Sequence, residues 1–371
     1  MPAHSGTHAL ERQVAELRSY HAASTQLVDA LNTLALALWR VDLVRALSAA
    51  QEARILARLL GYHTGAATSL VRLSWIHLQS GEFDTAVREA HEAKRFAEQN
   101  ADTYVLVLNA RYTLARAYQL AGEFKKAEAA WQQMRAIARA NNDTLREADY
   151  QFEAGLLYIE MRDYQRAFEC ALQAKDFYAT LDDPRLATAL NNMAFALTKL
   201  GHHDQALILA VDALARCDPE RMVTRAEFLH TLGMIHLNRR EHDLARACLD
   251  ESLRISLSPS GQKYTAVEAL TDIAKLETVG NNITVAVQTL ERAAALAGEI
   301  HSHTLQAEAQ QALSQLYLLL HDPAGANAHH ERYIEHKFIA GIERVAKRVS
   351  LICIEAEVEG RHPVWAAQGL R

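Results

Sequence analysis

The sequence is poor in the residues that interrupt helices or link distant segments covalently. It holds only 6 prolines and 15 glycines among 371 residues, which leaves long stretches without a helix breaker. The four cysteines lie far apart and form no CxxC pair, so neither a disulfide framework nor a zinc site is indicated. We expect buried, reduced thiols at Cys170, Cys217, Cys248 and Cys353.

Long apolar runs and an excess of positive charge are also absent. No run of about 18 apolar residues occurs, and the N-terminus MPAHSGTHALERQ lacks the apolar core of a signal peptide. With 39 basic and 45 acidic residues the formal charge is −6, so no positive field attracts nucleic acid or anionic lipid. We expect a cytoplasmic protein that binds neither nucleic acid nor membrane.

What the sequence does contain is a repeated pattern rich in helix-forming Ala and Leu. A small residue is followed three positions later by an aromatic or apolar residue, then by Gly-Glu-aromatic or a variant, then by Ala. The clearest copies occupy residues 74–86, 115–127 and 155–167, and degenerate copies occupy 194–206 and 233–245. The closing alanines recur at a nearly constant spacing, at Ala46, Ala86, Ala127, Ala167, Ala206, Ala245, Ala286 and Ala326.

Each position of the pattern has a physical reason. The small residue lets two helices approach closely, and the glycine adopts the positive φ that ends a helix. The closing alanine is expected where the helices cross, because a bulkier side chain there would overpack by about 1–3 kcal/mol. The small positions are Ser74, Ala115, Gly155, Ala194, Gly233, Ala274 and Ser314.

The pattern resembles the tetratricopeptide repeat over roughly residues 27–335. The usual repeat has about 34 residues, whereas the period here is about 40, which is similar to the sensor regions of bacterial regulators and GGDEF-type cyclases. HEAT and armadillo repeats share the longer period, but no proline recurs in the first helix. The resemblance implies an all-α, right-handed α-solenoid of about eight helical hairpins with capping helices at both ends.

Four segments are expected. Residues 1–26 form an N-terminal tail and a capping helix over 8–26, with Leu10, Val14, Leu17 and Leu27 on its apolar face. Residues 27–335 form the superhelix, 336–360 a long C-terminal helix within a helical stretch over 329–359, and 361–371 a tail.

The C-terminal helix carries apolar residues at alternating steps of four and three, which is a short heptad seam. Two interpretations stay open: the helix folds back as the last cap, or it is a dimerising stalk resembling the connector of bacterial sensors. The seam residues proposed for a homodimer are Phe338, Ile342, Val345, Val349 and Ile352, with Ala356 next.

No catalytic motif is present: the sequence contains no phosphate-binding loop, dinucleotide fingerprint, HExxH or GxSxG. Histidines cluster at 202–203, 301–303 and 329–336, but neighbouring histidines on a helix point about 100° apart and do not converge on a metal. We therefore predict no catalytic residue, metal or cofactor. An alternative is that the chain is a phosphatase-like or peptide-responsive regulator of a response regulator, although the segment before the first repeat is short for the helical bundle that such regulators use.

The resemblance also implies a binding groove, because the first helix of each repeat lines the concave face. The expected partner is a protein or peptide, and the chain is expected to act as a non-catalytic scaffold or signalling sensor. The amides of Asn191 and Asn192 could bind a peptide backbone or merely solvate a helix, and Phe152 and Phe195 could belong to the core. The inward positions are Arg72, Trp75, Asn109, Tyr112, Arg116, Phe152, Glu153, Asn191, Asn192, Phe195, Lys199, His230 and Met234.

Overall fold

A computed structural model describes residues 2–20, 23–39, 42–99, 104–259 and 261–360. In these ranges the regular structure is entirely helical, which confirms the all-α prediction. The helices are α1 (Pro2–Tyr20), α2 (Thr25–Leu38), α3 (Leu43–Leu59), α4 (His63–Gln79), α5 (Phe83–Glu98), α6 (Tyr104–Leu120), α7 (Phe124–Ala140), α8 (Thr144–Glu160), α9 (Tyr164–Thr180), α10 (Leu186–Lys199), α11 (His203–Arg216), α12 (Met222–Asn238), α13 (His242–Ser256), α14 (Lys263–Val279), α15 (Ile283–Glu299), α16 (His303–Leu319) and α17 (Pro323–Val358).

From α2 onward the helices form eight consecutive hairpins, each made of an even-numbered first helix and an odd-numbered second helix. Every closing alanine is the fourth residue of a second helix, and each is at most 2% exposed. A Cβ added to Gly155 would lie 3.5 Å from the carbonyl oxygen of Ala167. The Ser314 hydroxyl donates to the carbonyl oxygen of Ala326 at 2.9 Å. The small residue and the closing alanine therefore meet at the helix crossing, as predicted.

A residue with positive φ recurs in the turn inside the hairpins. Gly81, Gly122 and Gly201 have φ values of 80°, 72° and 87°. The N–H that follows Gly81 bonds back to the carbonyl of His77 at 2.8 Å, which closes the end of the first helix. The same conformation persists where the sequence has no glycine, at Arg162, Arg240, Asn281 and His321.

Both terminal helices differ in extent from the prediction. The single helix expected over 8–26 is two helices, because α1 ends at Tyr20 and α2 begins at Thr25, with Ser24 Oγ accepting the N–H of Leu27 at 3.2 Å. Leu27 therefore belongs to the first hairpin, while Val14 is buried against that hairpin as a cap requires. At the other end α17 begins already at Pro323, since the last second helix continues without a turn into the long C-terminal helix.

The chain divides into two compact units. Unit 1 contains residues 1–142 and 344–371, and unit 2 contains residues 143–343. The predicted segment boundaries at 26, 335 and 360 remain a prediction, and the tail at 361–371 lies outside the described residues.

Within unit 1, the last part of α17 covers α5, α6 and the start of α7. Leu351 and Ile354 are at most 1% exposed and join the cluster around Phe83 and Leu114. Glu355 accepts hydrogen bonds from the Tyr118 hydroxyl at 2.6 Å and from Lys126 Nζ at 2.8 Å. This face of α17 is therefore buried against α5, α6 and the start of α7 and not against the last hairpin, whereas the five seam residues are 47–67% exposed.

In the portion of the chain that the structure describes, none of the helices is long and apolar enough to cross a membrane.

Candidate functional site

Unit 2 contains an open cavity of about 250 Å³. Its walls come almost entirely from the first helices of four successive hairpins, α8, α10, α12 and α14. The lining residues are Ile159, Asn191, Asn192, Phe195, Glu227, His230, Thr231, Gln262, Tyr264, Thr265 and Glu268.

The repeat explains why these side chains converge. The positive-φ turn residues Gly201, Arg240 and Asn281 follow α10, α12 and α14 and are spaced by one repeat each. Counted from those turns, Asn191 and His230 occupy the same position of successive first helices. Equivalent positions of stacked first helices share one face. Each hairpin therefore contributes side chains from its first helix to the wall of the same cavity.

One buried polar pair supports the cavity. His230 Nε2 lies 3.0 Å from an Asp272 carboxylate oxygen, and Lys275 Nζ donates to the other oxygen at 2.6 Å. Burial acts to raise the pKa of Asp272, but these partners hold it below its usual range. Burial likewise acts to lower the pKa of His230, and the hydrogen bond and charge of Asp272 raise it instead. Asp272 therefore has both of its carboxylate oxygens bonded within the protein, one to His230 and one to Lys275.

Glu268 contrasts with this pair. Its carboxylate forms no hydrogen bond or ion pair with the described part of the chain. Burial raises its pKa, and the nearby charges of Asp272 and Glu308 act in the same direction. Burial also raises the pKa of the neighbouring Tyr264 to about 12. The positive charges of His230 and Lys199 lower this pKa only in part, so a negative charge held here without a directly bonded partner costs free energy.

The two asparagines bring amide groups to the same cavity. Asn191 is 7% exposed, and neither its buried Oδ1 nor its Nδ2 is hydrogen bonded within the described residues. The neighbouring Asn192 amide likewise has no partner there. Because an amide can both donate and accept, the two side chains are suited to a peptide backbone.

Phe195 supplies an aromatic wall. Its ring centroid lies 6.4 Å from that of Tyr164 in an edge-to-face arrangement. The ammonium of Lys199 lies 5.1 Å from the Phe195 centroid, a favourable cation–aromatic contact. The predicted residues Asn191, Asn192, Phe195, Lys199 and His230 are thus brought together.

The other predicted groove residues lie elsewhere. In unit 1, the ring centroids of Trp75 and Tyr112 lie 4.8 Å apart in a tilted arrangement. Trp39 meets Trp75 edge-to-face at 5.6 Å, and Trp131 meets Tyr112 edge-to-face at 5.1 Å. Arg72, Asn109 and Arg116 belong to the same two first helices, α4 and α6. In unit 2, Phe152 packs on the buried Tyr178, and Met234 is 4% exposed. Neither of these two, nor Glu153, lines the cavity.

Glu227, Tyr264, Glu268 and Asp272 were not identified from the sequence. The signal was available, since Glu268 occupies the position in α14 that Glu227 occupies in α12, one full repeat further along. The predicted inward positions stopped at α12. Applying the same positions to α14 would have predicted Glu268 as a residue of the groove.

No group of three or more His, Cys, Asp or Glu side chains is arranged to hold a metal within the described ranges. Two of the clustered histidines, His303 and His336, contact each other instead, with their Nδ1 atoms 3.2 Å apart. None of the four cysteines forms a disulfide; Cys170 and Cys217 are buried, and the other two are partly exposed.

Comparison with known families identifies one hairpin of the stack. Residues 186–217, which cover α10 and α11, match the family described as Tetratricopeptide repeat. This match and the eight hairpins, each with a buried alanine at the same position of its second helix, indicate a tetratricopeptide-repeat fold. No curated protein sequence matches it.

Several solved structures share this fold. The apo form of the quorum sensor NprR from B. thuringiensis aligns with a TM-score of 0.65 and 12% identity, over 90% of this chain and 95% of that one. A Rap protein complexed with competence and sporulation factor aligns at 0.55 and 16%, over 86% and 100%. A STAND protein with a tetratricopeptide repeat sensor from Pyrococcus horikoshii aligns at 0.61 and 15%, over 93% of this chain and 55% of that one. At these identities the likeness concerns the fold alone.

Proposed function

We propose that this chain is a tetratricopeptide repeat protein that acts as a non-catalytic sensor or scaffold of the cytoplasm and binds a peptide, or an extended segment of a protein, in the unit 2 cavity. The observation that carries the proposal is the pair of amides at Asn191 and Asn192, which line a cavity and have no partner within the described chain. Asn191 is buried, Asn192 is partly buried, and buried amides are normally hydrogen bonded. An extended peptide offers the alternating N–H and C=O groups that would satisfy them.

Two further observations support this function. The cavity combines an aromatic wall at Phe195 with polar groups from three hairpins, a mixture typical of peptide recognition. A structure with the same fold, the Rap protein, was solved in complex with competence and sporulation factor. The groove of α4 and α6 in unit 1, with Arg72, Trp75 and Arg116, remains a second predicted contact surface.

A defined peptide library tests the proposal. The full chain is incubated with synthetic heptapeptides randomised at every position, separated from free peptide by gel filtration, and the retained peptides are quantified by mass spectrometry. We expect the wild type to retain a reproducible subset. The double variant N191A/N192A should lose roughly tenfold or more in affinity for that subset, because each lost hydrogen bond costs about 0.5–1.5 kcal/mol.

The matched control is Gln205→Ala, which removes an exposed amide from the second helix α11, away from the cavity. It should retain the same peptides as the wild type. Retention of no peptide by the wild type, or equal retention by N191A/N192A, contradicts the proposal.

We also propose that two copies of the chain associate through the seam of α17. The five seam residues are 47–67% exposed, while Leu351 and Ile354 on another face of the helix are buried in unit 1. An exposed apolar stripe at heptad spacing is self-complementary. The heptad spacing of the seam therefore favours the α17 helix of a second copy as its binding partner.

Light scattering tests the dimer. V345E/V349E places two charges on the seam and should convert the dimer to a monomer. Val358→Glu is the control, because Val358 is an equally exposed valine (54%) of the same helix outside the seam. A wild type that is monomeric at micromolar concentration would refute this part of the proposal.

A further inference from the structure

Glu268 is the carboxylate of α14 that has no partner within the described chain. On the same helix Asp272 is bound by His230 at 3.0 Å and by Lys275 at 2.6 Å. Glu277 accepts a hydrogen bond from Asn282 at 2.9 Å and forms an ion pair with Arg246. Glu268 lines the cavity and forms no such bond. Asp272 and Glu277 of α14 therefore have bonding partners within the protein, and Glu268 does not.

A second, independent observation points to a ligand at the same place. Asn191 is more than nine-tenths buried, with 7% of its surface exposed, and it lines the same cavity. Its amide has no hydrogen-bond partner within the described residues. A buried amide in this state lacks a partner that folded proteins almost always provide. The missing group must come from outside the described chain.

The walls and the volume narrow the class of ligand. Phe195, Tyr264 and Ile159 present aromatic and apolar surface beside the carboxylate, and aromatic faces attract cations. The 250 Å³ volume is below the roughly 300–1,000 Å³ of sites for drug-sized ligands. The cavity therefore suits one side chain or one chain terminus.

None of the three nearby basic residues forms an ion pair with Glu268. Lys199 is placed over the Phe195 ring at 5.1 Å, without a hydrogen bond to Glu268. Lys275 and His230 both bond to the carboxylate of Asp272. No cation of these three neutralises Glu268 by direct contact.

We propose that the cavity is a subsite for the cationic group of a bound peptide: an ammonium or guanidinium pairs with the Glu268 carboxylate while the Asn191 amide bonds to the adjacent backbone. This inference rests on the proposed function and specifies its ligand. Glu268 would select peptides that carry a positive charge, and Asn191 would bind the peptide backbone next to that charge.

The experiment uses the same heptapeptide library in two forms, one with free N-termini and one acetylated. Peptides retained by the wild-type chain are sequenced, and the frequency of Lys and Arg is compared with that in the unselected library. We expect enrichment of Lys and Arg in the acetylated form if the cation is a side chain. Enrichment of any free N-terminus over its acetylated counterpart would identify the terminal ammonium as the source.

Glu268→Gln is the decisive variant, because it keeps the size of the side chain and removes its charge. It should abolish the enrichment and weaken the selected cationic peptides by about tenfold or more, the cost of one charge-assisted hydrogen bond. Glu291→Gln is the matched control, since it removes the same charge from an exposed site on the second helix α15. It should leave the enrichment unchanged.

The two kinds of failure are distinct. If the wild type retains peptides without any cationic preference, or if E268Q selects the same cationic peptides as the wild type, this inference is overturned while the proposed function stands. If the wild type retains no peptide at all, the proposed function fails and this inference fails with it. Circular dichroism of E268Q checks that its helices are intact.

Discussion

At the scale of single residues, the hairpins depend on the absence of side-chain atoms at the helix crossings. A Cβ added to Gly233 in α12 would lie 2.7 Å from Cγ of Leu249 and 3.3 Å from its backbone nitrogen. Leu249 is fully buried in α13 and has little room to move. Close approach of these two helices therefore requires glycine.

We predict that Gly233→Ala lowers the free energy of unfolding by about 1–3 kcal/mol, the usual cost of overpacking. Gly341→Ala is the control, because an added Cβ there meets nothing within 4 Å. In that exposed helical position alanine should stabilise by about 0.5–1 kcal/mol. Urea unfolding followed by circular dichroism measures both, and equal midpoints for the two variants would contradict the crossing argument.

A second prediction at this scale concerns the pH dependence of stability. The folded chain raises the pKa of Glu268 above its ordinary value of 4.5, chiefly by burial. The folded state therefore binds this proton more tightly than the unfolded state, and ionisation destabilises the fold as pH rises through the raised pKa. His230 and Lys199 reduce the effect, and Asp272 and Glu308 increase it.

Consequently E268Q should be more stable than the wild type at pH 7, and the difference should vanish below pH 4.5, where the carboxyl is neutral in both states. Unfolding midpoints between pH 3 and pH 8 provide the measurement. A wild type that equals or exceeds E268Q in stability at pH 7 would show that Glu268 is already paired in the folded chain.

At the scale of the secondary-structure elements, α17 has two faces with different roles. In unit 1, Leu351 packs with Leu114 and Phe83, whereas its neighbour Ile352 is 47% exposed. Truncation of Leu351 to alanine should cost about 2–5 kcal/mol, because it removes buried apolar atoms and leaves a cavity.

Ile352→Ala should change the stability of the monomer by less than about 0.5 kcal/mol, as exposed sites usually do. Thermal unfolding at low protein concentration, where a dimer would dissociate, compares the two variants. Equal losses would mean that the docked face of α17 does not stabilise unit 1.

At the scale of the whole molecule, the proposed site lies in unit 2, and a bound peptide should protect that unit. At a ligand concentration of 100 times Kd the fold gains about 2.7 kcal/mol. We predict that a peptide retained from the library slows hydrogen exchange in α10, α12 and α14. The helices α4 and α6 of unit 1 serve as the internal comparison, and protection confined to them would move the site to the groove of Arg72 and Trp75.

The sequence by itself determined the repeat. Alanines at a nearly constant spacing predicted the eight hairpins, and each one is the fourth residue of a second helix. This worked because a helix crossing tolerates only a small side chain, so local packing leaves a mark in every copy. The turns were harder to predict from the sequence, because Arg162 and Asn281 adopt the positive φ that glycine adopts in the turns at Gly81, Gly122 and Gly201.

Only the tertiary structure decided which of the inward positions share a cavity and which acids have partners. Asn191 and His230 were identified by their register, but Glu268 differs from Asp272 in lining the cavity and in having no hydrogen-bond donor among the described residues. The docking of Leu351 on α5 and α6 was equally beyond the sequence. Contacts between segments that are far apart along the chain depend on how each hairpin is inclined to the next, and the repeat pattern does not encode that inclination.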